Sequence, residues 1–246
     1  MSLPDLSGRV AVVTGASRGI GETLASTFAA QGMKLGVCSR SSPALEASES
    51  VVATRLDVCD EGAIEKFANE VIGRFGRIDL WVNNAGVLDP IAPLRNVSVA
   101  DFRDHIDINL TGVFLGTRAF VRHVRDREGE GVLINVSSGA AWKAYEGWTA
   151  YCAGKAAVER LTEVVQLEEA AAGLRAYSVA PGVVDTEMQE RVRKSSEADF
   201  PEVGRFREMK ADDSFNTPEF VAEQFLAIAF DPEQRPDQVE YRVEFD

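Results

Sequence analysis

Histidine and cysteine are scarce: the 246 residues hold two histidines, His105 and His123, and three cysteines, Cys38, Cys59 and Cys152. No Cys or His pair stands at ligand spacing, so no metal site is expected. An odd cysteine count without paired spacing argues against a disulfide framework and for buried thiols in a reducing compartment. No apolar run approaches the roughly 20 residues that a membrane span needs. The opening MSLPDLSGRV has neither the basic nor the apolar segment of a secretory leader, so no membrane partner and a cytoplasmic location are expected. Basic charge is also short. Against 39 Asp and Glu stand 26 Lys and Arg, a net charge of -13 that repels polyanions; without a basic patch, nucleic acid is not an expected partner.

What is present is ordinary globular composition, 45% hydrophobic and 26% charged, with short β-branched runs alternating with amphipathic stretches. Strands are predicted at Val10 to Thr14, Leu35 to Ser39, Val51 to Leu56, Leu80 to Asn83, Val132 to Val136, Ala176 to Ala180 and Tyr241 to Phe245. Helices are predicted at Gly19 to Gln31, Glu61 to Phe75, Val99 to Arg125, Thr149 to Ala171 and Pro218 to Phe230, with one or two turns around Ala44 to Ser48. Gly32 and Gly173 close helices, and Ser98 and Thr217 stand where N-caps belong. The expected fold is α/β: a single doubly wound domain over residues 1–246, with a seven-stranded parallel sheet and helices on both faces. Met188 to Ser214 shows no clear periodicity. It reads either as a substrate-binding lid over about 188–214 or as a surface excursion.

After the first strand comes Thr14-Gly15-Ala16-Ser17-Arg18-Gly19-Ile20-Gly21, opening a helical run, the order of a Rossmann-type phosphate-binding turn. Gly15 permits the tight turn, Gly19 lets the backbone approach a pyrophosphate, Gly21 permits close packing of helix on strand, and the helix N-terminus offers N–H groups to the anion. The second strand ends Cys38-Ser39-Arg40-Ser41, where an NAD site usually carries a carboxylate. Arg40, with Ser39 or Ser41 and a second charge from Arg18, suits a 2′-phosphate, so NADP(H) is the expected cofactor.

The fifth strand ends in Ser137-Ser138, and thirteen residues beyond Ser138 stands Tyr151, followed four residues later by Lys155 on the same helix face. An ammonium beside a phenol favours phenolate and lowers a pKa that is ordinarily near 10, a recipe for general acid catalysis. Read singly, Asn83 and Asn84 could end a strand in an Asx turn, and Asn109 could be a mid-helix polar residue bonding locally.

Thr14 to Gly21, Leu56-Asp57-Val58, Asn83-Asn84-Ala85-Gly86, Ile108-Asn109-Leu110, Ser137-Ser138, Tyr151 to Lys155 and Ala180-Pro181-Gly182 follow one another in the order of the short-chain dehydrogenase/reductase family, which the chain resembles over almost its whole length. The resemblance implies that Ser138 hydrogen-bonds a substrate carbonyl, Tyr151 donates the proton, Lys155 also holds the nicotinamide ribose, and Asn109 supports a water relay to Lys155. It places Asp57 and Val58 at the adenine, Asn83 to Gly86 along the cofactor, and Pro181, Gly182, Val184 and Thr186 at the carboxamide. Tyr177, where the family usually has Asn, and a short link from Arg40 to Val51 depart from the pattern.

Gly147-Trp148-x-Ala150-Tyr151-Cys152 and Pro181 to Gln189 resemble the sepiapterin reductase and benzil reductase branch, which reduces vicinal dicarbonyls. Trp142, Tyr145 and Trp148 would wall the carbonyl with aromatic rings, with Met188 also on the substrate side; the tryptophans could equally pack or face a partner subunit. Asp246 stands one residue out of register with the aspartate that anchors the pterin in sepiapterin reductases. The expected activity is NADPH-dependent reduction of a small-molecule ketone or vicinal dicarbonyl, its aromatic character being read from that wall. The alternatives are an alcohol dehydrogenase working in the oxidising direction and a non-catalytic NADPH-sensing regulator. By resemblance the two long helices pair across a twofold axis, giving a homodimer or, with further contacts, a homotetramer.

Overall fold

A computed structural model describes residues 5–244. The strands are β1 (Val10–Thr14), β2 (Lys34–Ser39), β3 (Val51–Arg55), β4 (Leu80–Asn83), β5 (Gly131–Val136), β6 (Leu174–Ala180) and β7 (Glu240–Arg242). They form one sheet in the order β3-β2-β1-β4-β5-β6-β7, every pairing parallel. Val13 pairs with Val37 on one side and Val82 on the other, so β1 lies where the strand order reverses. Crevices at the carboxyl ends of strands beside such a switch point are where doubly wound sheets bind ligands.

The strands read as continuous apolar runs because helices cover both faces. On one face α1 (Gly19–Ala30) and α8 (Pro218–Phe230) bury Leu24, Phe28, Val221 and Phe225 against Val13, Val37 and Ile134. On the other, α2 (Glu61–Phe75) and α4 (Gly112–Arg125) bury Phe67, Val71 and Phe120 against Val12, Trp81 and Leu133. The N-caps at Ser98 and Thr217 form as expected, each side chain accepting from the backbone N–H three residues on. Tyr177, in place of the family's usual Asn, is buried in the first of these two cores.

Four expectations need correction. The helix predicted over Val99 to Arg125 is interrupted: α3 (Val99–Ile106) and α4 are joined by a π-turn over Asp107–Thr111. Ala44 to Ser48 is not helical; Ala44 N–H donates to the Ala16 carbonyl and the link returns through a bridge between Ser48 and Val51. Being short, this link is spent on bracing the glycine turn. The last strand ends at Arg242, with Phe245 and Asp246 outside the described residues. Finally, Met188 to Ser214 holds α6 (Glu187–Arg193) and α7 (Val203–Ala211), whose buried Val192, Val203 and Phe206 join Phe200, Leu88, Trp148 and Tyr151 in a third apolar cluster. Helices this short bury one or two residues each, too few to show a 3.6-residue repeat.

Candidate active site

The carboxyl ends of β4, β5 and β6 and the start of α5 (Thr149–Glu169) converge on a cavity of about 610 Å³. Ser138, Tyr151, Lys155 and Asn109 all line it, from three different segments: the end of β5, helix α5 and the turn over Asp107–Thr111. Ser138 leaves β5 in an extended conformation and its Oγ accepts from Ala140 N at 3.2 Å. Tyr151 and Lys155 project from one face of α5, with the Lys155 ammonium 5.7 Å from the phenol ring centroid.

Burial sets the acid-base state of this pair. It raises the Tyr151 phenol above its ordinary value, opposed by a hydrogen bond to Ser138. It lowers Lys155 to about 8, although its Nζ donates to the Val136 carbonyl at 2.7 Å. Loss of hydration dominates both groups and outweighs any lowering of the phenol by its ammonium neighbour. At neutral pH the phenol carries its proton, the form a general acid requires.

Asn109 sits in the π-turn. Its Oδ1 accepts from Val87 N at 2.9 Å, while Nδ2 donates to Val87 O at 2.8 Å and approaches His105 Nε2 at 2.6 Å. His105 is 1% exposed, and its Nδ1 lies 2.7 Å from the Asp89 carbonyl. A carbonyl cannot donate, so Nδ1 carries the proton and Nε2 accepts from Asn109. The imidazole meets the Tyr151 ring edge-on at 6.0 Å. Sequence reading passed over His105, though a signal existed: it stands four residues before Asn109, one turn back on the same face.

The glycine turn is packed too closely for side chains at its glycines. Gly15 and Gly19 adopt φ of +69° and +57°, and a Cβ at Gly15 would lie 2.7 Å from Ala85 Cα. Gly21 serves differently from the expected helix-on-strand contact, since a Cβ there would overlap the Gly15 carbonyl and the Asn84 amide. Asn84 Nδ2 donates to Thr14 O and Gly15 O at 3.0 and 3.3 Å, locking the turn to the end of β4. The expectation that Asn83 lines the cofactor fails. Its side chain is buried in the core, bonding Trp81, Val113, Thr117 and Asn135.

Of the remaining cofactor candidates, Ile20, Asn84, Gly86, Pro181, Gly182, Val184 and Thr186 line the cavity. Gly15, Ser17, Arg18, Gly19, Gly21, Ser39, Arg40, Asp57, Val58 and Ala85 lie outside it, on the glycine turn and the ends of β2, β3 and β4. Ser39 is buried and bonds the Ser41 carbonyl, whereas Arg40 is exposed. Asp57 caps its own turn, accepting from Cys59 N. Arg18 departs from expectation: it pairs with Glu187 of α6 at 2.8 Å, so its charge is already met by a carboxylate.

On the substrate side, Trp142, Tyr145, Trp148 and Met188 all line the cavity. Trp148 is 4% exposed, stacked on Phe200 at 4.5 Å and edge-on to Tyr151 at 5.5 Å. Trp142 is exposed and its Nε1 donates to Glu159. One tryptophan is thus core and wall together, the other wall alone.

A glycine-rich turn at the switch point and a Ser, Tyr and Lys at one cavity define an oxidoreductase working between alcohols and carbonyls with a nicotinamide nucleotide, NAD(P)(H). The chain belongs to the short chain dehydrogenase family, whose profile matches residues 9–197. It is 31% identical to benzil reductase ((S)-benzoin forming) of Bacillus subtilis (strain 168), over 88% of this chain and 91% of that protein. It is 36% identical to 3beta-hydroxysteroid dehydrogenase 1 of Eggerthella lenta, over 74% of this chain and 73% of that protein. Among solved structures, the KRED1-Pglu enzyme superposes with a TM-score of 0.86 at 32% identity, covering 95% of this chain and 99% of that one. No helix among the described residues is long and apolar enough to cross a membrane.

Proposed function

We propose that the chain is an NADPH-dependent carbonyl reductase acting on a ketone or vicinal dicarbonyl, aromatic in character, with Tyr151 as proton donor. The observation that carries this reading is the convergence of Ser138, Tyr151 and Lys155 on one aromatic-walled cavity. When bound, the nicotinamide supplies the hydride. Ser138 Oγ and the Tyr151 hydroxyl bond the substrate oxygen, polarise its carbonyl, and Tyr151 delivers the proton as charge develops on that oxygen. Lys155 holds the nicotinamide ribose and, with Asn109 at the other end of a water relay, returns a proton to the phenol. Arg40 takes the 2′-phosphate, and Asp57 and Val58 flank the adenine.

The similarity to benzil reductase ((S)-benzoin forming) supports a dicarbonyl substrate. Residues 188–214 act as the substrate-binding lid, presenting Met188, Val192 and Phe206 to the cavity. The functional unit is a homodimer. Phe114, Val164 and Leu167 of α4 and α5 are 42%, 44% and 84% exposed, beside a groove edged by Arg118, Arg160, Glu168 and Glu169. Two copies related by a twofold axis would bury these apolar residues against one another and set cations opposite carboxylates.

The test is loss of nicotinamide absorbance with NADPH against benzil and simple ketones. Tyr151→Phe lowers kcat by about 100-fold or more while NADPH binding persists. Turnover within a few-fold of the wild type overturns the assignment.

A further inference from the structure

The charge of the cavity is opposite to that of the protein. Acids outnumber bases by 39 to 26 along the chain, yet the charged residues lining the cavity are Lys143, Lys155, Arg205 and Arg242, all cations. Lys155 belongs to the catalytic group. The other three come from separate segments: the loop before α5, helix α7 and strand β7.

Neighbouring carboxylates are diverted from the space. Asp89 follows the lining residue Leu88 and pairs with Arg191 at 2.9 Å. Asp185 and Glu187 flank the lining residue Thr186; the first is held by Arg193 and Lys210, the second by Arg18. Glu159, Glu163 and Glu240 cluster together but do not line the cavity. Lys143 and Arg205 share one carboxylate, Glu202, at 2.9 and 3.7 Å, which leaves that trio with a net positive charge. Arg242 has no ion pair among the described residues. The cations also sit over the aromatic wall, Lys143 Nζ 4.5 Å from the Tyr145 ring centroid and Arg205 Cζ 5.8 Å from that of Phe206.

We propose that the cavity takes a carbonyl compound carrying an anionic group, its aromatic or apolar body against the wall and its anion held at the rim by Arg242, Arg205 and Lys143. The inference rests on the reductase reading above and names its substrate class: an oxo acid in place of a neutral diketone. Guanidinium groups offer paired N–H donors that match a carboxylate. A cleft lined by one sign of charge, here cations in an otherwise acidic protein, concentrates the opposite sign.

The experiment pairs acids with their methyl esters, so that shape is constant and charge alone changes. Benzoylformate, 4-acetylbenzoate and 4-benzoylbenzoate are each run against the ester with NADPH, beside benzil as neutral reference. At least one acid exceeds its ester in kcat/KM by about 10-fold or more at low salt, and the advantage shrinks as salt rises. In Arg205→Gln/Arg242→Gln the ratio of acid to ester falls about tenfold. Esters that match or exceed their acids across the set, with benzil still reduced, overturn the inference and leave the reductase reading standing. Loss of every turnover, benzil included, counts against the reductase reading instead. Binding measured by quenching of tryptophan fluorescence then decides the charge preference: an ester that binds as tightly as its acid overturns it.

Discussion

His105 is a buried imidazole with both nitrogens committed, one to the Asp89 carbonyl and one to the amide of Asn109. Burial, with the nearby Lys155 charge adding to it, holds its pKa below the ordinary 6.5, against the opposing Asp89 carbonyl and carboxylate. Tyr151 faces it as well, edge-on and uncharged. The folded pKa is depressed, so the stability tied to neutral His105 is full above 6.5 and is lost as pH falls through the folded value. Protonation would aim a second N–H at Asn109 Nδ2, donor against donor, and turn the amide that bonds Val87 away from its place. Reductase kcat/KM should therefore fall on the acid side together with His105 protonation. His105→Gln, whose amide oxygen can still accept from Asn109, should keep activity near neutrality and move or abolish that acid limb. His105→Phe leaves the Asp89 carbonyl and one Asn109 N–H without partners and should cost about 1–3 kcal/mol in urea unfolding. An unaltered acid limb in His105→Gln would remove the histidine from the account of the site.

At the end of β2 the contest between two nucleotides comes down to one exposed guanidinium, because Arg18 is paired with Glu187 and Ser39 is turned toward Ser41. Arg40→Asp replaces a phosphate partner by a charge that repels phosphate and can accept from a ribose hydroxyl. It should weaken NADPH by about 10- to 100-fold, the loss of one or two charge-assisted hydrogen bonds, and improve NADH, read from KM for each nucleotide. Equal KM changes for the two would place the 2′-phosphate elsewhere. These elements differed in how plainly they showed in the sequence. The strands and α1, α2, α5 and α8 were readable because covered parallel strands are apolar throughout and long helices repeat their apolar stripe several times. Ser138, Tyr151 and Lys155 were readable for a related reason: a strand end and a four-residue helical spacing leave little freedom in where their side chains meet. The π-turn at Asn109 was not, since one widened turn hardly disturbs the apolar repeat on either side of it. Helices α6 and α7 were hidden by brevity, and the part they play in walling the cavity through Val192 and Phe206 is a long-range contact that no local pattern carries. The pairing of Arg18 with Glu187 was not legible either, because α6 lies far along the chain.

The molecule as a whole carries a charge of -13, which by itself keeps copies apart; an apolar face on α4 and α5 has to outweigh that repulsion for a dimer to form. Phe114, Val164 and Leu167 supply the exposed apolar area, and Arg118, Arg160, Glu168 and Glu169 around the groove give each copy both signs of charge to offer the other. Burying such a patch at about 25 cal/mol per Å² favours association, while a single buried unpaired charge in it costs several kcal/mol. Val164→Arg puts that charge into both halves of a twofold contact at once. The wild type should sediment at twice the 26.7 kDa of the chain, and Val164→Arg at the mass of one chain. Because Ser138, Tyr151, Lys155 and Asn109 all come from one chain, the separated variant should still reduce its substrate, at a rate set by how firmly α5 holds its place without a partner. A variant that stays dimeric would move the interface to another face, and a wild type that sediments as a single chain would leave the exposed residues of α4 and α5 as ordinary surface.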